Sequence, residues 1–250
     1  LQGGDGNDTL IGGVGSDTMT GGTGNDSYYV DNLGDVVNEN AGEGTDAISS
    51  SVTYVLGDNI ENMTLTGTEA INGTGNSQAN QLYGNASANT LSGEGGNDYV
   101  NAGEGNDQLQ GGDGNDTLIG GVGSDTYLFG DTQGKDTITE TAGVSGDIDT
   151  LKLTEASTDN PVIVKNGNDL YVFTDANDYV KITGEFQATN YGIERLEVSD
   201  GHYITRNDIQ TIVDTMSAIN NNSGMDIIQK YNAMMNSEDY QNILAQSWQG

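Results

Sequence analysis

The chain has 250 residues, a formal net charge of −31 at pH 7 and no cysteine. The lack of cysteine excludes disulfides, thiolate metal sites and a cysteine nucleophile. Residues 1–134 carry 20 acidic residues and no Lys or Arg, because all seven basic residues lie from Lys135 onward. So acidic a surface repels phosphate groups, which excludes nucleic acids as partners and favours cations.

No run of about 20 apolar residues occurs, so we expect no stable insertion into a membrane. The sequence starts at Leu1, inside a repeat, and carries no N-terminal signal peptide. We therefore expect a fragment of a longer protein that is monomeric as a fragment.

A segment of 18 residues occurs twice without change, at residues 1–18 and 109–126. Each copy follows a nine-residue period, and the first array of units covers residues 3–29 as GGDGNDTLI, GGVGSDTMT and GGTGNDSYY. Each unit has glycines near its start and Asp at place six, usually with a bulky residue at place eight. Such a strict period is the mark of a repeat architecture rather than of a flexible linker.

Residues 30–74 keep this period only loosely. Asp35 and Val37 still hold places six and eight, the segment AGEGTDAIS at 41–49 looks like a shifted unit, and residues 51–67 alternate like strands. We predict a degenerate solenoid stretch over 30–74 that joins the first array to a second array.

The second array covers residues 75–128 and returns to the register of the first. Asn80 and Asn89 hold place six in its first two units, and aspartates hold it in the next four, at Asp98, Asp107, Asp116 and Asp125. An amide is a neutral and poorer cation ligand than a carboxylate, so we expect weaker cation binding at the two Asn units.

From Lys135 the pattern changes. Residues 135–204 predict short strands at 151–153, 161–173 and 179–182, with hairpin turns at Asn166-Gly167 and Asp200-Gly201. After residue 205 apolar residues recur at helical spacing, with Ser223 and Ser237 as N-caps of two further short helices.

The nine-residue unit has a direct physical reading. Glycines at places one, two and four allow a six-residue turn with inward-facing carbonyls, and the last three residues favour a short strand. Two units complete a coil, so the Asp residues recur above one another once per coil, at the strand spacing of about 4.8 Å. Two carboxylates about 5 Å apart repel by about 0.8 kcal/mol even in water. Carboxylates and carbonyls without His or Cys form an all-oxygen site, which suits Ca²⁺.

Residues 3–29 and 75–128 resemble the GGxGxDxUx repeats of the RTX family of bacterial proteins exported by type I secretion. The resemblance implies a mainly β fold, a parallel β-roll (β-solenoid) over residues 1–134. It also implies a small β-rich cap over 135–204 and short helices in a C-terminal secretion-signal region over 205–250.

The resemblance also implies a ligand scheme. One turn supplies the carbonyls of places two and four and its Asp, and the turn one coil later supplies the carbonyls of places one and three and its Asp. Three calcium sites follow, which consist of Gly4, Gly6, Asp8, Gly21, Thr23 and Asp26; of Glu94, Gly96, Asp98, Gly111, Asp113 and Asp116; and of Gly103, Gly105, Asp107, Gly120, Val122 and Asp125. Asp17 with Asp35 is a poorer fourth site, because its second turn lacks the glycines.

In function, the resemblance implies a non-enzymatic calcium-binding module. From the resemblance we expect it to pass through the type I secretion machinery without a cleaved N-terminal signal and to fold on calcium outside the cell or at the bacterial surface. Two classes of parent protein stay open, namely a large adhesin or toxin, and a secreted enzyme such as a lipase, protease or mannuronan epimerase. The final helices could cap the roll, serve as the export signal, or do both at different times.

Overall fold

The computed structural model describes residues 1–140, 146–155, 161–187, 192–219 and 224–249. The fold is a mainly β parallel solenoid followed by three short helices, which confirms the predicted fold class. From residue 2 to residue 153, successive strands alternate between the two faces of the solenoid. The predicted N-cap Ser223 lies outside the described residues.

One face is a sheet of eleven strands. In chain order they are β2 (Thr9–Ile11), β4 (Ser27–Val30), β6 (Ala47–Ser50), β8 (Asn62–Leu65), β10 (Gln81–Tyr83), β12 (Tyr99–Glu104), β14 (Thr117–Val122), β16 (Lys135–Thr139), β18 (Val162–Asn166), β19 (Asp169–Phe173) and β20 (Tyr179–Thr183).

The other face consists of two sheets. The first contains β1 (Gln2–Asp5), β3 (Thr18–Thr23) and β5 (Val36–Asn38). The second contains β7 (Tyr54–Val55), β9 (Gly73–Thr74), β11 (Thr90–Gly95), β13 (Gln108–Asp113), β15 (Thr126–Phe129), β17 (Thr150–Leu153), β21 (Arg195–Glu197) and β22 (Tyr203–Thr205).

The nine-residue period sets the register within each array. Strands pair in parallel with the strand two units further along the chain, as in Leu91 with Leu109 and Val100 with Leu118. The place-eight side chains therefore stack in the interior between the two faces. They form one buried apolar cluster that includes Leu10, Met19, Tyr28, Leu82, Leu91, Val100, Leu109, Leu118 and Tyr127.

The degenerate stretch changes coil length without leaving the solenoid. Ser27 faces Ala47, Ala47 faces Asn62 and Asn62 faces Gln81, so successive coils contain unequal lengths of chain. The strands of residues 30–74 remain paired, so the differences in coil length lie in the turns between them.

The strands beyond Lys135 extend the same faces. β16 pairs with β14 and β17 pairs with β15, all in parallel, and β20 and β21 then pair in parallel with β16 and β17. The divisions at 134 and 204 stay predictions. The first hairpin turns at Gly167 and Asn168, one residue later than predicted, because Asn166 pairs with Asp169 and Gly167 supplies the positive φ of 65°.

The described residues form three helices, α1 (Arg206–Ile219), α2 (Ile227–Met235) and α3 (Glu238–Ser247). Ser237 caps α3 as predicted, by accepting from the backbone N–H of Tyr240, and α2 begins after Asp226 with a capping box. Ile209, Ile212 and Met216 of α1 join the buried cluster of the solenoid. None of the described helices is long and apolar enough to cross a membrane.

Tyr240 ties the last helix to the sheet. Its fully buried hydroxyl accepts a hydrogen bond from the Ile163 N–H and donates one to the Pro161 carbonyl, both at 2.8 Å. We expect Tyr240→Phe to lower the free energy of unfolding in saturating calcium by about 1–3 kcal/mol, because two buried backbone groups lose their partner. Urea denaturation measures this. Tyr29→Phe, at a half-exposed site, is the control, and equal midpoints for the two variants would contradict the assignment.

Candidate metal centre

Residues at place six stack into two columns, one along each side of the solenoid. We call these the carboxylate columns, and their members in the arrays are Asp8, Asp26, Asn80, Asp98 and Asp116 on one side and Asp17, Asp35, Asn89, Asp107 and Asp125 on the other. Within a column, the backbone N–H of one Asp donates to Oδ1 of the Asp in the next coil. The distance from the backbone N to Oδ1 is 2.7 Å from Asp8 to Asp26 and from Asp98 to Asp116, 2.8 Å from Asp107 to Asp125 and 2.9 Å from Asp17 to Asp35.

The second carboxylate oxygen of most column members has no partner among the described residues. Oδ2 is buried and accepts no hydrogen bond in Asp8, Asp26, Asp98, Asp107, Asp116 and Asp125. A buried carboxylate oxygen without a partner is strongly unfavourable unless a positive charge satisfies it. The columns therefore present rows of oxygen atoms that need a cation.

The turn glycines hold the backbone close to these carboxylates. A Cβ added at Gly21, Gly111 or Gly120 would lie 2.0–2.3 Å from Oδ2 of the Asp five residues later, so a side chain at place one of these three turns would have to displace that carboxylate. The left-handed φ expected of the turns occurs at places two and four, at Gly4, Gly6, Gly96, Gly103 and Gly105.

Side chains at places two and three play no part in the implied scheme, which uses only their carbonyls. Glu94 holds place two with φ of 76°, which strains a residue other than glycine. Thr23 at place three donates its hydroxyl to Asp5 at 3.0 Å, Val122 is exposed, and Asp113 is exposed. The three implied six-residue ligand sets stay predictions, and the structure brings the two Asp residues of each set together.

The two Asn units satisfy themselves without a cation. Asn80 accepts from the Asn76 N–H at 2.8 Å and donates to the Ile60 carbonyl at 3.0 Å. Asn89 likewise accepts from the Asn85 N–H at 2.9 Å and donates to the Ile71 carbonyl at 2.6 Å. An amide has both a donor and an acceptor, so the side chain at place six is fully hydrogen-bonded in these coils. In an Asp coil one carboxylate oxygen stays unpaired.

The Asp17–Asp35 pair differs from the others. Oδ2 of Asp35 accepts from the backbone N–H groups of Asp31 and Asn32, both at 3.1 Å. Both oxygens of Asp35 are therefore used inside the protein. Asp17 and Asp35 lie together as predicted, but Asp35 has no oxygen left unpaired.

The columns continue past the arrays through residues that the nine-residue period does not identify. Asp46 accepts from the Asp26 N–H at 2.7 Å, Asp136 from the Asp116 N–H at 3.0 Å, and Asp149 from the Asp125 N–H at 2.9 Å. Each lies further along the chain than one regular coil would place it. Only the shifted unit at 41–49 signals one of them in the sequence, because inserted residues displace the other two from the register.

The second column ends at an ion pair inside the chain. The Asp149 N–H donates to Glu194 at 2.9 Å, and Glu194 pairs with Arg206 at 3.2 Å. Arg206 also pairs with the buried Glu185 at 3.1 Å. At this end of the solenoid, a guanidinium supplies the positive charge that the carboxylates of the arrays lack.

Burial and neighbouring carboxylates shift the acids of the columns toward the neutral form. Burial raises the pKa of Asp98 to about 7 and that of Asp116 to about 6, and the nearby Asp116 charge adds to the effect at Asp98. The pKa of Asp107 and of Asp125 rises to about 6, and that of Asp136 to about 8, again chiefly through burial.

These features fit a hard divalent cation. The buried unpaired carboxylate oxygens of the columns are hard ligands, and Ca²⁺ accepts six to eight oxygen ligands in irregular geometry. Histidine and cysteine, which softer metals prefer, supply no ligand to the columns.

Comparison with known proteins gives the same result. The family model of the RTX calcium-binding nonapeptide repeat, in four copies, matches residues 1–35, 74–109 and 102–131. These ranges contain both arrays and omit most of the degenerate stretch. No curated protein matches the chain significantly.

The raised pKa values set a sign for the pH dependence of stability. In EDTA, the folded chain binds more protons than the unfolded chain between the ordinary pKa of 3.8 and the folded values of about 6 to 8. We therefore expect the free energy of unfolding in EDTA to fall as pH rises from about 4 to 8. Circular dichroism and thermal melts in EDTA at pH 5 and pH 8 measure this. A melting temperature that rises with pH would contradict it, and excess calcium should weaken the dependence.

Proposed function

Because the chain belongs to the RTX family of calcium-binding repeat proteins, we propose that it is a module whose folding depends on calcium. The observation that carries the proposal is the row of buried carboxylate oxygens without partners along both columns. Bound calcium would supply the positive charge between these oxygens. Asp8 and Asp26, Asp98 and Asp116, and Asp107 and Asp125 would hold it, with the turn carbonyls of Gly4, Gly6, Gly21, Thr23, Glu94, Gly96, Gly111, Asp113, Gly103, Gly105, Gly120 and Val122.

The same carboxylates act as the switch. In a compartment with little calcium, stacking the coils brings like charges together in a buried site, so the unfolded chain is favoured. In a calcium-rich compartment, ligand binding to the folded chain alone adds directly to its stability. Extracellular modules commonly bind calcium at about 10⁻⁴–10⁻³ M.

We place this transition outside the cell or at the bacterial surface, after export by the type I secretion machinery without a cleaved N-terminal signal. RTX repeats occur in secreted proteins, which supports this location. The C-terminal region would be read by the exporter while it is unfolded. Its helices would pack onto the solenoid only afterwards, where Tyr240 and Leu244 become buried.

We propose a secreted adhesin or toxin as the parent protein. The acidic surface of residues 1–134 supports this choice over an enzyme that acts on an anionic polymer, such as a mannuronan epimerase, because like charges repel. Monomeric behaviour of the module is part of the proposal, and light scattering in calcium tests it.

The central test is calcium-induced folding. We expect a weak β-sheet signal in EDTA and a cooperative gain on addition of calcium, measured by circular dichroism. A β-sheet signal that is already complete in EDTA at neutral pH would overturn the proposal. Magnesium at equal concentration should produce less folding, because it demands an octahedral site.

A matched pair of variants tests the columns. Asp98→Ala with Asp116→Ala should raise the calcium concentration at the folding midpoint by about tenfold, because two charged ligands are lost and no amide replaces them. Glu104→Gln removes a charge from an exposed side chain of the same array and should leave the midpoint unchanged. Equal midpoints for the double variant and the wild type would exclude these carboxylates as ligands.

A further inference from the structure

The coil that follows each array carries a glutamate where the array carries a glycine. Gly21 holds place one of the last unit of the first array. The pairing of Thr20 with Asn38 places Glu39 beside it, at the same place one coil later. The pairing of Leu118 with Ile138 places Glu140 beside Gly120 in the same way. Inside the arrays this position is a glycine or alanine, so each array ends with one additional carboxylate in its last turn.

Each of these glutamates is held by a tyrosine at place eight. The buried hydroxyl of Tyr28 donates to Oε1 of Glu39, and that of Tyr127 donates to Oε1 of Glu140. The Tyr127 hydroxyl also accepts from the Gly120 N–H at 2.7 Å. The other units of the two arrays have Leu, Met or Val at this place. A tyrosine at place eight is therefore present only in the two units that face a glutamate.

The tyrosine hydroxyl binds one oxygen of each glutamate and leaves the other oxygen without a hydrogen bond among the described residues. Oε2 of Glu39 and Oε2 of Glu140 are buried without a partner among the described residues, and so are Oδ2 of Asp26 and Oδ2 of Asp125. Asp125 and Glu140 are 0% and 5% exposed. These are unpaired carboxylate oxygens held away from water.

A second aspartate of the column lies close to each of these Asp–Glu pairs, so three carboxylates form a group. In Asp26, Glu39 and Asp46, and again in Asp125, Glu140 and Asp149, one oxygen per residue lies within 4.8 Å of the other two. Three oxygens at that spacing can all contact one cation at the usual Ca²⁺–oxygen distance of about 2.3–2.6 Å, or slightly more.

We propose that these two groups are cation sites that terminate the arrays and bind more tightly than the sites within them. Each has three carboxylates, compared with two at a site within an array, and a higher ligand charge favours hard cations of charge two or three. This inference rests on the proposed function, because it assumes that the columns bind calcium at all. Tyr28 and Tyr127 are positioning residues that hold Glu39 and Glu140.

The two groups are built over different loop lengths. The chain between tyrosine and glutamate is longer in the second group than in the first, and so is the chain between the paired aspartates. The same four-residue arrangement thus forms twice although the chain between its members differs. Its recurrence at the end of both arrays supports a common role there.

Terbium alone is the probe for the test, because it binds to oxygen ligands as Ca²⁺ does and emits when a nearby tyrosine transfers energy to it. The full chain is titrated with terbium, and calcium is then added as competitor. We expect Glu39→Gln with Glu140→Gln to weaken the tightest terbium sites by about tenfold or more, while saturating calcium still induces the β-sheet signal. Glu69→Gln with Glu104→Gln, two exposed glutamates, should titrate as the wild type.

The tyrosines give a second readout. Tyr28→Phe with Tyr127→Phe should reduce both the sensitised emission and the terbium affinity, the latter by about tenfold, as for other residues that orient a ligand. Tyr29→Phe, which alters a half-exposed neighbour, should change neither.

The outcomes separate the two proposals. A wild-type chain that gains no β-sheet signal in calcium overturns the proposed function. A chain that folds in calcium but whose Glu39→Gln, Glu140→Gln variant titrates as the wild type overturns this inference alone. If that variant does not fold, Glu39→Asp with Glu140→Asp retains both charges and shortens their reach, and wild-type terbium affinity in this variant would overturn the inference equally.

Discussion

The fold depends on one unfavourable interaction, the stacking of buried carboxylates along the solenoid. Each Asp of a column uses one oxygen to accept from the preceding coil, as Asp116 does from the Asp98 N–H at 2.7 Å. The other oxygen is buried without a partner in most of the described Asp coils. The backbone pairing that forms the coils therefore brings together the negative charges that oppose it. Rearranging side chains cannot separate this repulsion from the pairing.

The chain meets this constraint in three chemically different ways. The Asn80 and Asn89 coils replace the charge with an amide that is fully hydrogen-bonded. Arg206 supplies a fixed positive charge at the end of the second column through Glu194 and Glu185. The Asp coils retain the charge, and the chain there depends on its surroundings for a counterion.

These differences divide the solenoid into parts with unequal need for a cation. The apolar interior, which runs from Leu10 to the C-terminal helices as one cluster, favours folding throughout. The amide coils and the arginine end add to it under all conditions. Under the proposed function, stability in the Asp coils varies with the calcium concentration of the medium.

The sequence by itself determined the coil. The strict nine-residue period, with small residues at place one and aspartate at place six, leads to stacked turns, an inward place eight and aligned carboxylates, because each feature follows from local backbone geometry and periodic spacing. The oxygen-only chemistry of the site follows from the same residues. Asp98 with Asp116 and Asp107 with Asp125 were therefore predictable as pairs.

Only the tertiary structure decided what lies beyond the period. Asp136, Asp149 and Glu140 come after insertions of variable length, so their position depends on strand pairing rather than on spacing. Glu39 keeps the regular register, but only the fold brings its carboxylate together with Asp26 and Asp46. The loss of a free oxygen at Asp35 depends on the fold of its own loop. Periodicity fixes which residues stack while the period lasts, and hydrogen bonding between distant strands fixes it afterwards.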